Sequence, residues 1–347
     1  MKHGHSFYIG LFLCAVVLAA ALSSGCALVT PPQATPAPAE TPAAETVEFM
    51  EIATPAPTAV PTPIPTDTPV PTPAPEQFSV VWLTDTQFIN SLYPDTLLRM
   101  MQWAADNAAA NNTKLVVHTG DIVNDFESRR QWETAGTAFS ALTDRVPFLA
   151  VCGNHDVGTE TVTYTRFKKY VAALYPDQSI LLDGGRGAYA LVDTDEIKLL
   201  FVGTGWGYND ASVAYVNGVL DKYPDRVAVL CVHSYLDENG ARTDGGDILF
   251  DKVVAKHANV KLVLCGHREG VVRLETPIDD NGDGAPDRTV VQLLYNYQSE
   301  RSNDGGGFLR ILTFTPSAHR LDIQTYSPLL NEYLTDDTAQ FTIENAY

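Results

Sequence analysis

From Phe78 to the end of the chain, short apolar runs alternate with longer amphipathic segments. The short runs are rich in Val, Ile and Leu, which is typical of strands in sheets that are buried on both faces. They predict strands at 78–84, 114–119, 147–152, 188–193, 198–203, 227–232, 261–265, 289–295, 308–315 and 319–326. The pattern therefore predicts a folded domain over residues 78–347.

Between the predicted strands, apolar residues recur at the spacing of an α-helix. Asp95 is predicted to cap a helix whose apolar face includes Leu97, Met101 and Ala105. Further helices are predicted at 128–142, 164–174 and 211–223. Strands that alternate with helices indicate a layered α/β fold, and the pattern after Thr289 indicates that some strands are antiparallel.

Residues 1–26 have the composition of a signal peptide for export. Lys2 precedes an apolar run at residues 8–22, which is short for a membrane-spanning helix, and small residues follow. The segment ends in Ser-Ser-Gly-Cys26, which resembles a bacterial lipoprotein signal whose cysteine is lipidated. A lipid on Cys26 would anchor the exported chain to the cell membrane without crossing it. The alternative is secretion without a lipid, with cleavage near Ala27.

Residues 27–77 are dominated by Pro, Thr and Ala, which predicts a linker without a fold of its own. Repeated prolines favour extended polyproline II structure, and such a composition cannot build an apolar core. The linker would hold the domain over residues 78–347 away from the membrane surface.

The net charge of the chain limits its binding partners. The formal charge is −19, and an acidic surface repels nucleic-acid phosphates, so we expect no nucleic-acid scaffold as a partner. A small phosphorylated substrate remains compatible with this charge, because bound cations can reverse the sign of the local field.

Three cysteines fall in the predicted domain, at positions 152, 231 and 265, and each lies in an apolar run. We interpret Cys152, Cys231 and Cys265 as small buried hydrophobic residues at strand ends, with metal ligation as the alternative.

Several predicted strands end in residues that commonly bind metal ions. The carboxyl ends of strands in open α/β sheets gather functional groups at one edge. The residues at these ends are Asp85-Thr86-Gln87, Gly120-Asp121, Gly153-Asn154-His155-Asp156, His233 and Gly266-His267-Arg268-Glu269. Their carboxylate, imidazole and amide groups suit divalent metals such as Mn, Fe or Zn.

These motifs resemble the calcineurin-like metallophosphoesterases, whose pattern is D-x-H, G-D, G-N-H-D, H and G-H-x-H. The resemblance covers residues 78–326, and the G-D and G-N-H-D pieces match fully. The Asp85-Thr86-Gln87 variant and Asn296-Tyr297-Gln298 resemble a bacterial branch of exported proteins. The resemblance implies an α/β fold, a four-layer αββα sandwich in which two mixed β-sheets are flanked by helices.

The resemblance also implies roles for individual residues around two divalent metal ions (Mn, Fe, Zn or Mg). Asp121 would bridge the two ions, and Asp85 would hold the ion at the first metal position. The second metal position would be completed by Asn154, His233 and His267. His155 would stabilise the transition state or act as the general acid, and Asp156 would orient the ring of His155.

Two residues depart from the family pattern, and both are expected at the first metal position. Gln87 and Glu269 stand where the family has histidine ligands. An amide oxygen is a weak ligand and a carboxylate favours a harder ion, so this position would prefer Mn or Mg, bind weakly or stay empty. Arg268 would either pair with Glu269 or contact a substrate phosphate, since its guanidinium matches phosphate oxygens.

A separate acidic segment, Asp279 to Asp287, has the density of oxygen ligands and glycines found in calcium loops. A structural calcium ion is one prediction for it, and an acidic hairpin between strands is the alternative. Trp206, in a Gly-rich loop after a predicted strand, would either line the cleft or pack in the core.

The expected activity is hydrolysis of a phosphomonoester or phosphodiester by a metal-activated water at a dinuclear site. The alternative is a degenerate protein on the same fold that binds a phosphorylated cell-surface ligand without turning it over. The departures at Gln87 and Glu269 support that alternative.

Overall fold

The structure is a computed structural model that describes residues 76–174, 185–299 and 302–347. The predicted signal peptide, Cys26 and nearly all of the predicted linker lie outside the described residues. Within the described ranges, no helix combines the length and the apolar character needed to cross a bilayer.

The apolar runs form strands, as the sequence predicts. The strands of the described residues are β1 (Phe78–Leu83), β2 (Thr113–His118), β3 (Phe148–Ala150), β4 (Gly187–Asp193), β5 (Lys198–Thr204), β6 (Val227–Val232), β7 (Val260–Cys265), β8 (Gly270–Ile278), β9 (Arg288–Asn296), β10 (Leu309–Thr315), β11 (Arg320–Ser327), β12 (Glu332–Leu334) and β13 (Gln340–Ile343).

These strands form two mixed sheets. The first sheet has the order β12–β11–β10–β1–β2–β3, and β13 also pairs with β11. Its strands β1, β2 and β3 are parallel, whereas β10 is antiparallel to both of its neighbours. The second sheet has the order β4–β5–β6–β7–β9–β8, in which only the two edge strands are antiparallel to their neighbours. Each sheet therefore contains parallel strands whose carboxyl ends can carry a site.

Helices cover the outer face of each sheet. They are α1 (Gln87–Leu92), α2 (Pro94–Asp106), α3 (Arg129–Ser140), α4 (Asn154–Val157), α5 (Thr165–Tyr170), α6 (Asp210–Lys222) and α7 (Asp244–Lys252). Apolar residues of α2, α3 and α5 pack on the first sheet, and those of α6 and α7 pack on the second. This arrangement is the four-layer αββα sandwich that the sequence predicts.

The core between the sheets forms because successive side chains of a strand point to opposite faces. In β1, Val80 and Trp82 face the second sheet, while Val81 and Leu83 face the helices. The ring of Trp82 meets Tyr295 edge-on at 4.6 Å, and the Tyr295 hydroxyl donates a hydrogen bond to the Trp82 carbonyl at 2.6 Å. Such a buried aromatic pair fixes the end of β1 against the end of β9.

The structure adds the short elements α1, α4, β12 and β13 to those predicted, and it corrects the sequence prediction at three further elements. The edge strand β8 was missed because its residues are exposed or half-buried and lack an apolar run. Helix α7 was missed because Gly245 and Gly246 have low helix propensity, although the Thr243 hydroxyl caps the helix by accepting the Gly246 N–H at 3.0 Å. The prediction that Asp95 caps α2 is wrong: Pro94 takes the first helical position, so Asp95 lies in the first turn.

Candidate metal centre

The loops that follow the central parallel strands are joined by backbone hydrogen bonds. The N–H of Asp85, after β1, donates to the carbonyl of Gly120, after β2, at 2.9 Å. In the second sheet, the N–H of Gly266, after β7, donates to the carbonyl of His233, after β6, also at 2.9 Å. The topology therefore brings polar residues from distant parts of the chain to one edge of the sandwich.

Three of the predicted metal ligands have left-handed backbone conformations. The φ angles are 51° at Asp85, 57° at Asp121 and 72° at His267. A residue other than glycine in this region costs on the order of 1–3 kcal/mol, and such strain is concentrated at functional sites. The fold therefore maintains an unfavourable backbone at these three positions, and this conformation directs their side chains.

Two glycines leave space for the carboxylates of this centre. A Cβ atom on Gly153 would lie 2.0 Å from Oδ1 of Asp121, and one on Gly266 would lie 2.0 Å from Oδ2 of Asp85. Any larger side chain would displace these carboxylates, so glycine is required here for close approach.

Side-chain atoms of four predicted ligands converge on one point. The Nε2 atom of His233 lies 3.3 Å from Oδ2 of Asp121, 3.2 Å from Oδ1 of Asn154 and 3.2 Å from Nδ1 of His267. One ligand atom each from Asp121, His233 and His267 lies within 4.8 Å of the others. Two nitrogens and two oxygens in such a group match the donor set of a divalent transition metal.

The tautomer of His233 is set by the backbone. Its Nδ1 atom lies 3.0 Å from the carbonyl oxygen of Thr119, which can only accept, so Nδ1 carries the proton. This leaves Nε2 as the atom that faces Asp121, Asn154 and His267. Metal-binding histidines generally donate their other ring N–H to a carbonyl or a carboxylate in this way. The residues present at the second metal position therefore fit a divalent ion.

Charge within the group is tightly coupled. Burial lowers the pKa of His233, but the neighbouring Asp121 carboxylate outweighs this effect and raises that pKa to about 9. Burial raises the pKa of Asp121, and the charge of His233 reverses this, so the pKa is lowered overall. Burial and the charge on His233 lower the pKa of His267 to about 4. A proton on His233 therefore compensates the buried carboxylate in the protein without a metal.

Asp85 and Gln87 lie beside this group and are both buried. The carboxylate of Asp85 accepts hydrogen bonds from the Thr84 hydroxyl at 2.6 Å and from the His267 N–H at 3.0 Å. Burial raises the pKa of Asp85 to about 7. A terminal amide atom of Gln87 lies 3.4 Å from Oδ2 of Asp121, and the same amide contacts Gln298. Both residues therefore lie next to the Asp121 carboxylate, and ligation of a first metal ion by them stays a prediction.

Comparison with known proteins identifies the family of this site. The calcineurin-like phosphoesterase family matches residues 78–268, which is more than half of the chain. The chain belongs to the calcineurin-like phosphoesterase family. Membership implies divalent metal ions, and the cluster of Asp121, His233 and His267 is a candidate site for them.

Two similar proteins show how much of the chain is shared with a sequence relative and with a solved structure. The uncharacterized protein YvnB of Bacillus subtilis (strain 168) is 37% identical over 269 residues, which are 75% of this chain and 21% of that protein. The chain thus spans about a fifth of that relative. The purple acid phosphatase PPD1 from yellow lupin (Lupinus luteus) seeds has a TM-score of 0.55 at 12% identity, covering 78% of this chain and 54% of the other. The second comparison shows a shared fold.

Arg268 and Glu269 lie apart from the group of converging side chains in this calcineurin-like site. Both are exposed, and the Glu269 carboxylate accepts a hydrogen bond from the Ser299 hydroxyl. Nε of Arg268 lies 4.0 Å from Oε2 of Glu238, so the acidic neighbour of Arg268 is Glu238 and not the predicted Glu269. Both residues lie in the short connection between β7 and β8.

His155 and Asp156 are the last two residues of the G-N-H-D turn, and the predicted contact between their side chains is not formed. Nδ1 of His155 donates to the Asn124 carbonyl at 2.9 Å, and the His155 backbone N–H donates to Oδ1 of Asp121 at 2.9 Å. The Asp156 carboxylate accepts the backbone N–H groups of Ile122, Val123 and Gly153 at 2.8–2.9 Å. The role predicted for Asp156 is therefore wrong: a carbonyl orients the His155 ring, and Asp156 fixes the loop after Asp121.

Two further residues border the calcineurin-like site. The centroid of the Trp206 ring lies 5.3 Å from that of His267 and 6.2 Å from that of His233, and the same side chain packs against the apolar cluster of the first sheet. Trp206 therefore combines the two predicted places. Gln298 follows β9 and reaches Gln87. The sequence signal for both is a polar or aromatic residue just after a strand, which is too common to decide their place without the structure.

The remaining candidate residues lie elsewhere in the fold. Cys152, Cys231 and Cys265 are fully buried, and burial raises the pKa of each thiol, which agrees with the prediction of small core residues. Residues 279–287 connect β8 and β9 as a hairpin, the alternative given for this segment. There Asp279 and Asp287 accept backbone N–H groups, and Asp280 pairs with Arg288 at 2.8 Å. Calcium binding at this hairpin stays a prediction.

Proposed function

We propose that this chain hydrolyses small phosphomonoesters or phosphodiesters in a metal-dependent reaction. The observation that carries the proposal is the convergence of Asp121, His233 and His267 within 4.8 Å. The backbone beside this group is strained at Asp85, Asp121 and His267, and glycines leave room for the two carboxylates. A structural role alone would not require strained backbone at three neighbouring polar residues.

The proposal places two divalent ions in the site. Asp121, Asn154, His233 and His267 would hold one ion, and Asp85, Gln87 and Asp121 would contribute to the other. When bound, such ions lower the pKa of water towards about 7 and neutralise charge on phosphoryl oxygens. The overall acidity of the chain does not oppose a phosphate substrate, since the ions supply the local positive charge.

His155 is the residue best placed to handle a proton. The Asn124 carbonyl holds its ring through Nδ1, so Nε2 is the nitrogen that can meet a substrate oxygen. A protonated Nε2 can donate to the departing oxygen, and a positioned histidine is typically worth about 10²–10⁴ in rate. The backbone N–H of His155 also donates a hydrogen bond to Oδ1 of Asp121, so the proposed general acid is held in a fixed position relative to a proposed metal ligand.

Trp206 would limit the shape of the substrate. Its half-buried ring packs against His267, so the organic group of a phosphoester bound at the proposed metal site would lie against an apolar surface. The Trp206 carbonyl accepts the Tyr164 hydroxyl at 2.7 Å, which holds this loop in place.

The test combines metal analysis with two model substrates. Protein purified without chelator is analysed for metal, and p-nitrophenyl phosphate and bis(p-nitrophenyl) phosphate are assayed after addition of Mn²⁺, Mg²⁺ or Zn²⁺. We expect metal-dependent turnover of at least one substrate and its loss in His233→Ala and His267→Ala. The opposite result is a protein that binds metal and phosphate but hydrolyses neither ester nor any member of a wider phosphoester panel. That result would favour the non-catalytic binder instead.

A further inference from the structure

The side-chain amide of Gln87 has an orientation set by two backbone carbonyls. With its nitrogen turned towards them, it donates to the carbonyl of Asp85 at 2.7 Å and to the carbonyl of Asp121 at 3.3 Å. The reverse orientation would place the amide oxygen against two groups that can only accept. The carbonyls therefore direct the Gln87 oxygen to the opposite side.

On that opposite side, the Gln87 oxygen meets other oxygen atoms. In this orientation the Gln87 oxygen lies 3.4 Å from Oδ2 of Asp121 and contacts Oε1 of Gln298. Gln87 is 1% exposed and Asp121 is 2% exposed, whereas Gln298 is half-buried, so water has little access to the oxygens of Gln87 and Asp121. Buried acceptors that face one another need a positive partner or an N–H between them.

The segment that carries Gln298 is fixed from both sides. The Gln298 backbone N–H donates to Oδ1 of Asn296 at 2.7 Å, and Asn296 is buried at the end of β9. The next residue, Ser299, donates its hydroxyl hydrogen bond to Glu269. Glu269, at the position of a family ligand, thus holds the segment that presents Gln298.

We propose that Gln298, and not Glu269, supplies the remaining protein ligand at the first metal position. This inference rests on the proposed function and names the ligands of one of its two ions: Asp85, Gln87, Asp121 and Gln298. Every donor in this set is an oxygen atom, whereas the second metal position contains two imidazole nitrogens.

The difference between the two donor sets predicts different metal preferences. Carboxylate and amide oxygens suit hard ions such as Mg²⁺ and Mn²⁺, and imidazole nitrogens suit Zn²⁺ and Fe²⁺. The first metal position is therefore the weaker one for Zn²⁺ and the one that Mg²⁺ or Mn²⁺ fills. Glu269 is a positioning residue in this arrangement, acting through Ser299.

The experiment titrates the metal-free full chain with Mn²⁺ and follows binding by calorimetry and by electron paramagnetic resonance. We expect two Mn²⁺ per chain and a spin-coupled spectrum for the natural protein. Gln298→Leu should bind one Mn²⁺ with an uncoupled spectrum, or show a loss in affinity of about 10–100-fold or more at one site. Gln340→Leu, an exposed glutamine on β13, is the matched control and should bind two ions unchanged.

A second variant separates ligation from hydrogen bonding. Gln298→Glu keeps an oxygen ligand and adds charge, so it should bind the same Mn²⁺ at least as tightly and raise the Tm on addition of Mn²⁺. A glutamine that only donates an N–H to Gln87 predicts the opposite, because a carboxylate there would repel Asp121 and weaken Mn²⁺ binding.

The outcomes distinguish this inference from the proposed function. Three results would each overturn the assignment of Gln298. They are one Mn²⁺ per chain in the natural protein, two Mn²⁺ bound with unchanged affinity in Gln298→Leu, and weaker Mn²⁺ binding in Gln298→Glu. Two bound ions with the expected variant effects, but no hydrolysis of any phosphoester, would leave the ligand assignment standing and remove the activity.

Discussion

Nδ1 of His267 lies 3.2 Å from Nε2 of His233, with the two ring centroids 4.9 Å apart. Two imidazole nitrogens at hydrogen-bonding distance require a proton or a cation between them. Burial opposes a proton on His233, but the Asp121 carboxylate outweighs this effect and raises the pKa of His233 to about 9. A proton and a metal ion therefore compete for the same place in this site.

This competition predicts that metal affinity depends on pH. Below about pH 9 His233 is protonated in the metal-free protein, so an ion at the second metal position has to displace that proton. Zn²⁺ affinity should rise about tenfold per pH unit from neutral pH and level off above pH 9. Competition with a chromophoric chelator at a series of pH values measures this, with the chelator's own titration corrected. A flat profile would show that His233 is already neutral.

His155→Ala should lower turnover and leave metal binding intact. The ring is held by the Asn124 carbonyl outside the group of converging ligands, and its loss removes proton transfer to the leaving oxygen. We expect kcat to fall by about 10²–10⁴ with unchanged metal stoichiometry. His319→Ala, an exposed histidine far along the chain, is the control. Equal turnover in the two variants would remove His155 from the mechanism.

Asp156→Asn should lower the free energy of unfolding, and any change in turnover should follow from that loss of stability. The carboxylate accepts three backbone N–H groups, and an amide in its place presents its own N–H to at least one of them. The free energy of unfolding should fall by about 1–3 kcal/mol, as for other buried donors left without a partner. Urea unfolding of this variant is compared with Asp337→Asn, where the carboxylate is exposed. A loss of turnover at unchanged stability would contradict this role.

The positions of the candidate metal ligands could be predicted because the rule behind them is topological. Asp121, His233 and His267 each follow an apolar run, and the carboxyl ends of neighbouring parallel strands meet at one edge. The fold class follows from the same alternation of strands and helices. Knowledge of side-chain contacts is unnecessary for these inferences.

Side-chain contacts depend on loop paths, which local patterns do not determine. Glu269 has the spacing of a family ligand, yet its side chain is exposed and accepts a hydrogen bond from Ser299. Asp156 adjoins His155 in sequence, but the backbone of the loop after Asp121 offers it three N–H groups and a buried place. The contact between Gln87 and Gln298 joins residues whose separation in sequence gives no sign of it.

A pair of glycine substitutions tests whether close approach at the centre is required. Gly153 has an ordinary φ of −94°, so an added methyl group acts only through space, where it would lie 2.0 Å from Oδ1 of Asp121. Gly218, on the exposed face of α6, has no atom within 4 Å of an added Cβ. Gly218→Ala should therefore raise the free energy of unfolding by about 0.5–1 kcal/mol through helix propensity.

Gly153→Ala should have the opposite effect and should also weaken metal binding. Moving the Asp121 carboxylate would disturb both proposed metal positions, because Asp121 is a proposed ligand at each, and overpacking costs about 1–3 kcal/mol. Chemical denaturation without metal and Mn²⁺ titration of each variant provide the two measurements. A Gly153→Ala protein that keeps full Mn²⁺ affinity would show that Asp121 can move without loss, and the convergence of ligands around it would then not depend on the Gly153 turn.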